Sequence, residues 1–103
     1  MRIIKERTLW QYCGKSRFAP AKAYLQGWVS EVRQADWDNP AMLKSSFQSA
    51  SLIDSERVVF NVKGNRFRLV VDINYRHRIV FIIWFGTHEE NNKINVEELT
   101  YGD

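Results

Sequence analysis

The sequence has a single cysteine in 103 residues, so no disulfide can form within the chain, and a lone thiol suits a reducing compartment. No apolar run approaches the length of a membrane span, and Met1-Arg2-Ile3-Ile4 is too short for a signal peptide. These absences point to a cytoplasmic protein without a membrane partner. A phosphate-binding loop, a zinc-ligand spacing and a serine nucleophile elbow are all missing. Histidine occurs twice, as His77 and His88, and with the distant Cys13 these make a poor metal set, so neither metal nor cofactor is expected. Nothing near Cys13 in sequence would lower its pKa toward that of an active thiolate, so it is read as a core residue. Internal repeats, low-complexity segments and signs of a second domain are also lacking.

What is present is enough for one ordinary core. Hydrophobic residues make up 45% of the chain and aromatics 14%, and the length fits one domain over residues 1–103. The net charge of +3 permits a polyanionic partner without demanding one. The distribution of charge therefore matters more than the total.

Residues 57–86 organise the rest. Three runs rich in β-branched and aromatic side chains, 58–62, 66–73 and 79–85, are separated by Lys63-Gly64-Asn65 and by residues 74–78. Such side chains fit a pleated, half-buried surface, and Gly-Asn supplies the backbone angles of a tight turn, so the stretch predicts a three-stranded antiparallel meander. In the middle strand Phe67, Leu69, Val71 and Ile73 share one face, with Arg66, Arg68, Val70, Asp72 and Asn74 on the other. In the last strand Phe81, Ile83 and Phe85 alternate with Val80, Ile82 and Trp84. Being apolar on both faces, it is expected to have neighbours on both sides.

Ahead of the meander, residues 2–5 predict an edge strand. Thr8 and Gln11 have capping-box spacing, Leu9, Trp10 and Cys13 share a helical face, and Gly14 can end that helix in a left-handed conformation. Pro20 suits the first turn of a second helix, in which Leu25, Trp28, Val29 and Val32 form a buried stripe. Gly27 costs about 1 kcal/mol relative to Ala inside a helix, which suggests close approach of another backbone. Trp10 and Trp28 are read as core aromatics. Asn39 and Pro40 predict the cap and first residue of a third helix reaching about Phe47. Residues 45–55 read as a polar loop, with Leu52 and Ile53 as a strand fragment. The chain ends in an acidic tail containing Glu97, Glu98 and Asp103.

Charge on the meander is lopsided. Arg57, Lys63, Arg66, Arg68, Arg76 and Arg78 are opposed there by Asp72 alone. Edge charges that block aggregation explain such a pattern, and so does a phosphate-binding face. His88 follows a Gly just past the last strand, where loops expose side chains. Cations from the neighbouring strand would favour its neutral imidazole, a proton acceptor at neutral pH.

The strings VVFNVKGNRFRLVV and GTHEENNKI, together with MRII, the ADW-D-NP stretch and SAS before the first long strand, resemble the HigB family of toxins. That family lies within the RelE-like superfamily of type II toxin–antitoxin systems. The resemblance covers nearly the whole chain. It implies an α+β fold: a twisted, mainly antiparallel sheet of about four strands with two or three helices on one face and a basic open face. It also implies a ribosome-dependent, metal-independent mRNA endonuclease acting in the ribosomal A site, neutralised by a cognate helix-turn-helix antitoxin. Arg68 matches the catalytic-face arginine of the family's [FY]-R-L-V motif, and His88 falls at the strand-end position where relatives carry His or a basic residue. Both are the expected catalytic residues. Lys63 and Arg66 match frequent basic positions. With Tyr75, Arg76, Arg78, Asn91, Asn92 and Lys93 they form the expected RNA-binding set. Related chains commonly read HEEYDKI where this one has HEENNKI, so Asn91 and Asn92 replace a Tyr and an Asp. Two other readings stay open: a non-catalytic RNA- or ribosome-binding module, and a protein-interaction domain whose basic face docks an acidic partner.

Overall fold

The computed structural model describes residues 1–64 and 66–99. Asn65 of the expected turn and Asp103 of the expected tail lie outside them. The order is β1 (Arg2–Ile4), α1 (Glu6–Cys13), a 3₁₀ helix (Ser16–Ala21), α2 (Lys22–Gln34), α3 (Pro40–Ser46), β2 (Ser51–Leu52), β3 (Arg57–Val62), β4 (Phe67–Asn74), β5 (Ile79–Thr87) and α4 (His88–Asn92). The strands form one sheet in the order β1-β5-β4-β3-β2, antiparallel except where β1 runs parallel to β5. This is the expected α+β sheet, with a fifth strand contributed by the two-residue β2. β5 does lie between two neighbours.

The main core sits between the helices and one sheet face. Leu25, Trp28, Val29 and Val32 of α2 are buried against Val58, Phe60 and Val62 of β3 and Phe67, Leu69, Val71 and Ile73 of β4. Trp28 meets Phe60 edge-on at 5.4 Å, and Phe18 meets Phe85 at 5.2 Å. Cys13 is buried there, and burial raises its thiol pKa, as a core residue requires. Leu69 is fully buried. Leu69→Ala is expected to lower stability by about 2–5 kcal/mol, read from a denaturant melt. A midpoint equal to the parent's would mean that this side chain is not in the core.

Local chemistry explains several boundaries. Asn39 Oδ1 accepts from the Met42 N–H at 3.0 Å, and Pro40 begins α3. Lys63 and Gly64 take positive φ in the β3–β4 turn. Other expectations need correction. α1 begins at Glu6, two residues before Thr8, and has no side-chain cap, so the Thr8–Gln11 spacing is not a capping box. Gly14 ends α1 in the right-handed region. Pro20 lies in the 3₁₀ helix, before α2 begins. Gly27 is exposed, and among the described residues nothing lies near its Cβ position, so no neighbouring backbone approaches it there. Trp10 is only half-buried, its indole N–H donating to Glu6.

Strict alternation in β5 also fails. Val70 pairs with Trp84 but Val71 pairs with Ile82, which leaves Ile83 as an extra residue. This β-bulge moves Phe85 to the helix side with Val80 and Ile82, and Ile83 and Trp84 to the other side with Phe81.

The second sheet face is not simply open. Val59, Val70 and Ile83 form a small buried cluster there, flanked by Ile53, Phe81, Trp84, Val96 and Leu99. The C-terminal residues thus cover one end of that face and leave the other end for the basic residues. Among the described residues no helix is long and apolar enough to cross a membrane.

A candidate nucleic-acid site at the end of the meander

The bulge decides what meets Arg68. Beyond it the register pairs Arg68 with Gly86 on β5 and Asn61 on β3, and the His88 N–H donates to the Arg66 carbonyl at 3.0 Å. Phe67 and Leu69 face the helices, so alternation puts Arg66, Arg68, Gly86 and the His88 position on the opposite face. Without the extra residue Arg68 would oppose Phe85, and the residue before α4 would fall on the other side.

Arg68 is half-buried. Its Nη1 donates to the Phe67 carbonyl at 3.3 Å, and among the described residues it has no carboxylate partner. Burial lowers its pKa from the ordinary range, but a guanidinium stays charged. A half-buried cation without a counterion suits a phosphate. The Trp84 indole packs directly over Gly86 beside it: a Cβ there would lie 2.5 Å from the indole and 3.1 Å from a Glu90 carboxylate oxygen.

α4 carries the other side of the site. Thr87 and Glu90 form a capping box: the Glu90 N–H donates to Thr87 Oγ1 at 3.1 Å, and the Thr87 N–H donates to Glu90 Oε1 at 2.9 Å. Glu90 also pairs with Arg17 of the 3₁₀ helix at 3.2 Å. His88 occupies the first position of α4, half-buried, with Nδ1 sealed from solvent and without a partner among the described residues. A cleft of about 400 Å³ is lined by Arg66, Thr87, His88 and Glu89. Its occupants thus meet one imidazole, one guanidinium and one carboxylate.

The bond from the Thr87 N–H, and then the Arg17 charge, hold the Glu90 carboxyl below the usual carboxylate range. A group whose pKa is lowered by folding stabilises fully above its unfolded value, about 4.3 for Glu, and loses that contribution as pH falls through the folded value. Amide protection of α4 is therefore expected to fall on acidification below about pH 4 while the sheet stays protected. Glu90→Gln is expected to remove that acid step. Coincident loss of α4 and sheet protection in the parent would refute it.

The structure divides the expected RNA-binding residues. Lys63, Arg66, Asn92 and Lys93 are exposed at the Arg68 end of the sheet or on α4 and its cap. Asn91 is half-buried there, with its amide nitrogen sealed from solvent, so that atom does not face the cleft. Tyr75, Arg76 and Arg78 lie in the β4–β5 turn, at the other end of an eight-residue strand and roughly 25 Å away. Tyr75 packs against the main core with its hydroxyl buried. Arg78 pairs with Asp36 at 2.6 Å and with Asp38, and donates to the Trp37 carbonyl at 3.1 Å. These three residues leave the candidate set for those reasons. Phe67 is core. Arg17 and Glu89 were not singled out in the sequence, since contacts across the fold bring Arg17 to α4 and only the cleft gives Glu89 a role.

A family model described as HigB toxin, the RelE-like toxic component of a toxin–antitoxin system, matches residues 21–94. The chain belongs to this family. It is the toxic member of a toxin–antitoxin pair, whose other member is an antitoxin. The matched span of the toxin contains Arg66, Arg68 and His88 and ends at Ile94, before the C-terminal turn. A search of curated proteins gave no match.

Proposed function

We propose that this toxin is an endoribonuclease, a single domain over residues 1–103, that cuts mRNA in the ribosomal A site without a metal. A cognate helix-turn-helix antitoxin neutralises it in the cytoplasm. The observation that carries this proposal is the half-buried Arg68, without a carboxylate partner among the described residues, on the same sheet face as Arg66 and the His88 position, which line a cleft.

RNA supplies its own nucleophile. The 2′-oxygen attacks phosphorus and gives up its proton, the bond to the 5′-oxygen breaks, and that oxygen takes a proton. The products are a 2′,3′-cyclic phosphate and a 5′-hydroxyl. His88 serves one proton transfer, and Glu89 offers a carboxylate on the same cleft for the other. Arg68 opposes the charge that builds on the phosphorane, its planar fork matching two oxygens. Lys63 and Arg66 hold the flanking backbone.

Incubation of ribosome-bound mRNA with the toxin, followed by end-group analysis, tests this. Cyclic phosphate ends on A-site fragments are expected, because the RNA's own 2′-oxygen is the nucleophile. Salt-sensitive RNA or ribosome binding without cleavage would favour a binding module instead. Asn91 and Asn92, where the family resemblance implies a Tyr-Asp pair, lend weight to that alternative, because an amide cannot transfer a proton in the working range.

A further inference from the structure

Arg57, Arg66 and Arg68 share the outer face of the meander, and among the described residues only Arg57 is paired with a carboxylate. Arg57 is 6% exposed and lies directly opposite Asp72 across β3 and β4. Its Nε and Nη2 donate to the two Asp72 carboxylate oxygens, each at 2.7 Å. Its Nη1 donates to the Val96 carbonyl at 2.7 Å and also to the Leu99 carbonyl. The turn it grips is shaped by Asn95, whose Oδ1 accepts from the Glu97 N–H and whose carbonyl accepts from the Glu98 N–H, both at 3.0 Å. Val96 and Leu99 then rest on the cluster of Val59, Val70 and Ile83.

We infer that the Arg57–Asp72 pair is a latch, and that by holding this C-terminal turn it positions α4 and His88. α4 has five residues and none of them is buried. A helix that short has no stability of its own and must be held at both ends. Its first turn is fixed by the Thr87–Glu90 capping box and by Arg17. Three residues, 93–95, separate its last residue from Val96, the first carbonyl that Arg57 holds, so the latch is the second tether. The geometry suits the task. A guanidinium can serve a carboxylate on one edge and two carbonyls with its remaining nitrogen, whereas an ammonium has no planar fork with which to span them. Along the sheet the latched turn covers the rows of Arg57–Asp72 and Val59–Val70, and the next row holds Asn61 and Arg68. The turn therefore also walls the face at the edge of the proposed RNA site. Arg57, Asp72 and Asn95 are positioning residues, and their catalytic consequence rests on the RNA-cleaving reading above.

The test uses the full chain with Arg57→Lys and, separately, Asn95→Ala, which leaves the sheet untouched. Both variants are expected to keep parent-like amide protection in β3, β4 and β5 and to exchange faster at residues 94–99. The ring resonances of His88, one of only two histidines, are expected to move. Single-turnover cleavage of ribosome-bound mRNA is expected to fall by on the order of 10- to 10²-fold while ribosome affinity is kept, as misplacement of a catalytic group predicts. Should Arg57→Lys not fold, Asn95→Ala decides alone. Unchanged protection of residues 94–99 in the folded variants would overturn the latch. So would a freed turn with His88 resonances as in the parent. If the parent itself cleaves nothing, the RNA reading fails, and exchange and His88 resonances still decide the latch.

Discussion

Arg68→Ala is expected to yield a folded toxin that no longer arrests growth when induced. Removing one fixed donor aimed at transition-state charge costs on the order of 10²–10³ in rate, and here the donor is also a full positive charge. The fold should be kept. The guanidinium makes one hydrogen bond, to the Phe67 carbonyl at 3.3 Å, and has no carboxylate partner among the described residues, so its loss strands no buried charge. Only the packing of its half-buried stem is lost, about 1 kcal/mol and well short of unfolding. The measurement pairs growth after induction with a thermal melt. Arg68→Lys separates charge from shape. It keeps the cation but loses the planar fork, so partial toxicity is expected if phosphate geometry matters. Growth arrest equal to the parent's by a folded Arg68→Ala would remove Arg68 from the mechanism.

The contrast between Arg57 and Arg68 shows what the sequence conveys and what it hides. Both are basic residues on the meander, and composition treats them alike. The difference is a cross-strand partner: Arg57 faces Asp72, whereas Arg68 faces Asn61 and Gly86. Register is needed to see it, and register is a property of pairs of strands. The helix faces and strand runs were legible because each follows from spacing within a segment. The stripe from Leu25 to Val32, the Asn39 cap and the alternation of β4 are of this kind. The bulge at Ile83 was not legible. An extra residue in a run that is apolar on both sides leaves no break in the pattern, yet it decides which face Gly86 and the His88 position share. The C-terminal turn was equally hidden. Val96 and Leu99 are isolated apolar residues in an acidic stretch, and their burial depends on a cluster that the bulge helps to form.

His88→Gln is expected to slow single-turnover cleavage of ribosome-bound mRNA by on the order of 10²–10⁴, the usual cost of losing a general acid or base. Glutamine keeps hydrogen-bonding capacity but does not titrate in the working range. Ribosome binding should change little, because one imidazole contributes few ionic contacts with phosphate. The structure sharpens this expectation. Glu90 is committed to the capping box and Arg17, so it cannot serve the reaction in place of His88. Asn91 turns its amide nitrogen away from solvent, and neither it nor Asn92 can move a proton. Glu89 remains on the cleft, and Glu89→Gln in the His88→Gln background is expected to remove the residual rate if the two share the proton transfers. Asn91→Tyr combined with Asn92→Asp provides the opposite test, since it introduces the Tyr-Asp pair that the family resemblance implies. A faster double variant would mean that the parent works with part of its acid–base machinery missing. Equal rates for the parent and His88→Gln would end the proposed role of His88. An inactive parent rescued by the double variant would make this chain a lapsed nuclease that retains the RNA-binding face.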